Sequence, residues 1–153
     1  MDGISKKLTV EINAKKAFRK FVHEFNQWWP KEYTWSQDFL REIKIDPKID
    51  GLCTEIGPYG FRIDWGRVTN LTENESIEFK WQISPKREPI PNPDAASDIK
   101  INFTQQNGSA TSIEFEHYNF RNHADGGKEY QEMMDSEYGW DYILGQFINY
   151  CKE

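Results

Sequence analysis

The sequence predicts an α+β fold: a curved antiparallel β-sheet wrapped around a long C-terminal α-helix, with a second helix after the first strand. Three observations carry this reading. Ile77, Phe79, Trp81 and Ile83 alternate strictly with polar residues, and two later runs, Ile99, Ile101, Phe103 and Ile113, Phe115, His117, repeat the two-residue period of a half-buried strand. Trp140, Ile143, Leu144, Phe147, Ile148 and Cys151 form an apolar stripe at helical spacing. Ala17, Phe18, Phe21, Val22 and Phe25 form a second such stripe near the start.

Taken in order, Lys6 to Ile12 reads as a strand, because Leu8, Val10 and Ile12 alternate with polar neighbours. Asn13 is a good N-cap for the helix that follows. Trp28-Trp29-Pro30 ends that helix, since proline has no N–H to continue it and restricts the residue before it. Phe39 to Ile45 and Leu52 to Ile56 read as strands, and Gly57-Pro58-Tyr59-Gly60 as a tight turn. Phe61 to Leu71 is a longer strand in which Gly66 marks a bulge or a close backbone approach. Asn107-Gly108 predicts a hairpin with a type I′ turn, whose two central residues need positive φ. Pro85 to Ala96 holds four prolines and no periodicity, so it is a long loop, either a lid or a plain surface excursion. Ser136 and Gly139 mark a break between a short helix and the terminal one.

The strands expose one apolar face, and two helices must cover it. Residues 1–153 therefore read as one domain, long enough to bury a core without staples. A net charge of −6 disfavours nucleic acid and anionic membrane surfaces as partners. Met1 to Val10 lacks the apolar run of a signal peptide, and no stretch approaches the ~18 apolar residues of a membrane span. The expected location is the cytoplasm, where Cys53 and Cys151 would be buried thiols.

Metal ligation is not expected: His23, His117 and His123 have no Cys or His at ligand spacing. No nucleophile elbow and no phosphate-binding glycine loop occurs, so neither a catalytic residue nor a cofactor is expected. The candidate site is an apolar pocket between sheet and terminal helix. Its walls would come from Trp28, Trp29, Trp65, Phe79, Trp81, Phe103, Phe115 and Trp140, residues that would equally serve as plain core. Its polar groups would be His117, Arg41, Arg67 and Tyr138. Alternation aims His117 inward, either to meet a ligand or as a hydrogen-bonded core residue held by a tyrosine hydroxyl or a backbone carbonyl. Alternation also aims Arg41 inward, where its guanidinium would pair with a ligand's acidic group or with Glu55 or Asp64.

Five features follow one another in a familiar order: the helix ending in Trp28-Trp29-Pro30, the run Trp65-Gly66-Arg67-Val68, the strand ending Phe79-Lys80-Trp81, the pair Glu116-His117, and Gly139-Trp140. Together they resemble the START-like, birch-pollen-allergen-like (SRPBCC) superfamily, and within it the homologues of the activator of the heat shock protein 90 ATPase. The resemblance runs from about Leu8 to Phe147. It implies a helix-grip fold with a cavity under the C-terminal helix. The first functional expectation is a non-catalytic domain that binds a small hydrophobic ligand, with or without an acidic group. The alternative is a co-chaperone-like interaction module, which an exposed aromatic patch near Trp28 and Trp35 would favour. The third is a cyclase- or hydrolase-like enzyme using His117 with a tyrosine or carboxylate.

Overall fold

A computed structural model describes residues 3–153; the first two residues, part of the segment in which no leader is expected, lie outside the described residues. Seven strands form one antiparallel sheet: β1 (Gly3–Val10), β2 (Glu42–Ile45), β3 (Leu52–Ile56), β4 (Arg62–Thr72), β5 (Ser76–Trp81), β6 (Ser97–Asn107) and β7 (Ala110–Tyr118). Their order is β1-β7-β6-β5-β4-β3-β2, so the first strand pairs with the last and the chain then walks back across the sheet. The sheet is curled. Its concave face carries the alternating residues named above, among them Ile77, Phe79 and Trp81 from β5 and Ile113, Phe115 and His117 from β7, all buried.

Helices fill the concave side. Asn13 caps α1 (Ala14–Phe18) by accepting from the Lys16 amide at 2.9 Å. The helical path continues through a π turn (Arg19–His23) into α2 (Phe25–Trp28) and stops where Trp29 becomes extended before Pro30. α3 (Gly127–Met134) and α4 (Trp140–Cys151) are separate, as Ser136 and Gly139 predict. Gly139 is required there: a Cβ on it would lie 2.2 Å from the Met134 carbonyl oxygen. Lys6 on β1 pins this junction by pairing with Asp135 (2.6 Å) and Asp141 (3.1 Å). The stripe of α4 lies over the aromatics of α1, α2 and the sheet. Phe147 packs edge-on to Phe21 (4.9 Å) and Trp28 (5.0 Å), and Trp140 lies 4.5 Å from Phe115.

Four local expectations need correction. Strand pairing begins only at Glu42; Gln37–Phe39 is a 3₁₀ turn instead of a strand start, and Phe39 is 74% exposed. The hairpin at Asn107-Gly108 exists, but neither residue has positive φ; the Asn107 side chain shapes the turn by accepting from the Ser109 amide at 2.8 Å. Ile83 does not continue β5. It makes a single bridge to Pro89, so residues 83–90 fold back as a small hairpin within the proline-rich loop. The Gln82 side chain closes this hairpin by donating to the Ile90 carbonyl at 2.8 Å. Arg41 precedes the pleated part of β2 and is exposed, so the alternation that buries Ile43 and Ile45 does not reach it. Gly66 behaves as expected: its missing side chain admits the Lys80 carbonyl, which would be 2.6 Å from a Cβ, beside an irregular register at Cys53/Thr54.

Candidate functional site

The interior under α4 is occupied by side chains. Trp29 stacks on Phe25 (4.8 Å) and lies within 6.3 Å of Trp65, Trp81 and Trp140. Trp65 packs edge-on to Phe79 and Trp81, and Phe103 meets Phe18 and Phe21. The expected pocket wall is therefore mostly core.

What distinguishes these rings is the hydrogen bonding of their indoles. Each indole N–H can only donate. Trp28 donates to the Phe21 carbonyl at 3.2 Å. Trp81 donates at 2.7 Å to the Tyr130 hydroxyl, which donates in turn to the Ile83 carbonyl at 2.9 Å. Trp140 donates to His117 Nδ1 at 2.9 Å. Trp29 Nε1 and Trp65 Nε1 are buried with no partner among the described residues. An unpartnered buried donor costs about 1–3 kcal/mol, so each such group calls for an explanation.

His117 is the centre of a second polar arrangement, and its tautomer follows from the donors around it. Because Trp140 must donate to Nδ1, the His117 proton sits on Nε2. Nε2–H therefore donates to Ser97 Oγ at 2.7 Å, and Ser97 O–H is left to donate to His123 Nε2, also at 2.7 Å. The Ser97 amide donates to the same His123 nitrogen at 3.3 Å, which fixes it as an acceptor. Both imidazoles are thereby held neutral. Burial, then the neighbouring His123, pushes the His117 pKa well below its usual value. Burial, then the Lys80 charge, lowers His123 to about 4. The expected tyrosine or backbone partner of His117 is thus a serine and a tryptophan. Its two nitrogens are both engaged inside the core, so it is a fully bonded core histidine and presents no free nitrogen to a ligand.

The remaining polar candidates separate as well. Arg41 is exposed, and neither expected partner is available to it. Glu55 is fully buried on β3 and accepts from the Trp35 amide (3.1 Å), the Ser36 amide (2.8 Å) and the Ser36 hydroxyl (2.7 Å). Asp64 accepts from Thr54 and Arg62. Arg67 lies on the outer face of β4, 3.9 Å from Asp50, away from the helices. Tyr138 is 73% exposed and stands at a rim.

That rim borders one of several surface hollows of similar size. Three segments meet at one end of the curled sheet. The first is 31–39, which Glu55 anchors through Trp35 and Ser36. The second is the 83–90 hairpin, joined to the first where Trp35 Nε1 donates to the Arg87 carbonyl at 2.8 Å. The third is the α3–α4 junction, joined where the Tyr33 hydroxyl donates to the Tyr138 carbonyl at 2.6 Å. Between them lies a hollow of about 410 Å³, lined by Glu32, Tyr33, Thr34, Trp35, Gln37, Ile83 and Arg87. A cavity of about 20 Å³ adjoins it, lined by Tyr33, Ile83 and Arg87 again, together with Trp29, Trp81, Met134, Tyr138, Gly139 and Ile143. Two lining residues of the hollow, Gln37 (φ 48°) and Arg87 (φ 65°), hold left-handed backbone without being glycine. Such strain costs about 1–3 kcal/mol and persists where neighbours dictate it. Among the described residues no cluster of His, Cys, Asp and Glu is arranged to hold a metal ion, and no helix is long and apolar enough to cross a membrane.

Of the residues expected at the pocket, Trp29, Trp81 and Tyr138 reach this cavity. Trp28, Trp65, Phe79, Phe103, Phe115, His117 and Trp140 form the core behind it. Tyr33, Trp35 and Arg87 were not singled out as pocket residues, because they lie in segments without periodicity and are brought together only by tertiary hydrogen bonds.

Comparison with known proteins matches this architecture. No curated protein matches the chain. Among solved structures, an anthrahydroquino-γ-pyrone synthase is 22% identical and superposes with a TM-score of 0.68, over 97% of this chain and 96% of that one. CalC, a self-sacrificing resistance protein from Micromonospora echinospora, is 19% identical at a TM-score of 0.66, over 98% and 94%. A protein from Nitrosomonas europaea is 13% identical at 0.69, over 99% and 94%. At such identities these likenesses show the helix-grip fold alone. A family model matches residues 14–152, nearly the whole chain, and on that match the chain belongs to the Activator of Hsp90 ATPase homolog 1-like protein family of the SRPBCC superfamily.

Proposed function

We propose that this chain is a non-catalytic, single-domain binding protein that takes a flat apolar ligand through the hollow between residues 31–39 and 83–90, onto Trp29. The observation that carries this reading is the unpartnered N–H of Trp29, a residue lining the cavity beside that hollow. In a core that satisfies four of six indoles, a donor left unpaired there is what a ligand acceptor would complete. The cavity holds about 20 Å³, so binding requires the hollow's segments or the Tyr33 and Met134 side chains to move aside. One of the solved structures named above, the anthrahydroquino-γ-pyrone synthase, shares this fold and is itself complexed with a ligand.

The test is Trp29→Phe, which keeps a ring and removes the donor. With 2-naphthamide as probe, titrated by quenching of tryptophan fluorescence, the variant should bind about tenfold more weakly, the usual worth of one buried hydrogen bond. Equal affinity for both proteins, or no binding by either, rejects the reading.

A chaperone-binding role is the second reading, supported by the family description and by the exposed rings of Phe39 and Tyr59. The patch expected near Trp28 and Trp35 gives it no support, since Trp28 is buried. It predicts that the chain changes the ATPase rate of a heat shock protein 90 preparation; an unchanged rate at saturating chain counts against it. An enzymatic role for His117 gains no support from an imidazole with both nitrogens bonded in the core.

A further inference from the structure

We propose that the ligand is an aromatic acid and that Arg87 binds its anionic group; this rests on the binding reading above. Arg87 lines both the hollow and the cavity beside it, so a ligand passing from solvent to Trp29 would meet it. Its guanidinium has no ion pair or hydrogen-bond partner among the described residues. By contrast, Arg19, Arg62 and Arg67 each have a carboxylate within 3.9 Å. The one acid lining the hollow, Glu32, accepts a hydrogen bond from the Tyr142 hydroxyl instead.

The backbone of Arg87 is fixed although its head group is not. Its amide donates to the Ser84 carbonyl at 2.9 Å and its carbonyl accepts from Trp35 Nε1 at 2.8 Å. Its φ of 65° is a left-handed conformation that a β-carbon disfavours. A strained, doubly bonded backbone that presents an unpaired cation to a hollow is the arrangement expected of a ligand clamp. The charge is also felt inside. Burial raises the Tyr130 hydroxyl to about 12, and both its bond from Trp81 and the Arg87 charge oppose that rise. A guanidinium prefers a carboxylate or similar planar anion, which it binds through two parallel hydrogen bonds. The aromatic floor prefers a ring. An arylcarboxylate supplies both.

The experiment compares 2-naphthoate with 2-naphthamide, which share a ring and differ in charge. Both are titrated against the wild-type chain, Arg87→Gln and Arg87→Lys. The wild type should prefer naphthoate about threefold, a figure set by the exposure of Arg87 to solvent. Arg87→Gln should bring the ratio of the two affinities close to one, and Arg87→Lys should keep part of the preference because charge remains without the fork. Raising the salt should weaken naphthoate binding to the wild type and leave naphthamide binding to it unaltered. Equal affinities in the wild type, or a preference that survives Arg87→Gln, overturns the inference while leaving a binding site in place. If neither probe binds the wild type, the binding reading itself fails and this inference with it.

Discussion

Replacing Ser97 by alanine tests the tautomer chain that organises the polar core. Ser97 is fully buried at the start of β6, and its hydroxyl receives the His117 Nε2–H and donates to His123 Nε2. Deleting that oxygen has unequal effects on the two rings. His123 Nε2 keeps the Ser97 amide as donor, at 3.3 Å. His117 Nε2–H is left buried without an acceptor, which costs about 1–3 kcal/mol, and the lost bond to His123 adds about 1 kcal/mol. The expected destabilisation is about 3 kcal/mol, a fall in Tm of roughly 6–12 °C for a domain of this size. The control is Ser112→Ala. Ser112 is also a buried serine on a central strand, but its hydroxyl has no partner among the described residues. Removing that hydroxyl relieves an unsatisfied group, so stability should be unchanged or higher. Urea unfolding followed by tryptophan fluorescence measures both. If Ser97→Ala costs no more than Ser112→Ala, the chain of hydrogen bonds is not what holds His117.

Two further outcomes follow from the same geometry. The His117 and His123 pKa values are depressed in the folded chain, His123 to about 4, so as pH falls below 6.5 the unfolded chain binds more protons. Stability should be full above pH 6.5 and fall as the solution is acidified, by up to ~1.4 kcal/mol per pH unit for each histidine; His123→Gln should make the slope of a pH series of urea midpoints shallower, and an unchanged slope would remove His123 from the account. Gly66→Ala should cost about 2–3 kcal/mol, because its methyl would overlap the Lys80 carbonyl. Gly108→Ala, which meets nothing within 4 Å, should shift stability by less than about 0.5 kcal/mol, and similar values for the two would contradict the close approach at Gly66.

Sequence periodicity recovered the sheet because burying one face forces the two-residue repeat, which β5 shows throughout, β6 over residues 97–103 and β7 over residues 113–117. It failed at Arg41 for a physical reason. Alternation describes side chains only where the backbone is pleated, and pairing stops at Glu42, so extrapolating by one residue placed a cation in the core that belongs in solvent. The candidate site was legible only in part, and the division has a cause. Trp81 was found because it sits on a strand, and Trp29 because it directly follows a helix. Tyr33, Trp35 and Arg87 were not, because their positions are set by contacts between segments far apart in sequence. The buried carboxylate of Glu55 holds Trp35 and Ser36, and Trp35 holds the Arg87 carbonyl. Each link in that series depends on the one before it. The geometry of the hollow therefore rests on Glu55, a residue that lines neither the hollow nor the cavity and that composition marks only as one acid among many. In this fold the regular elements supply the apolar floor. The irregular segments supply the charge, and the fully buried acid on β3 holds the two together.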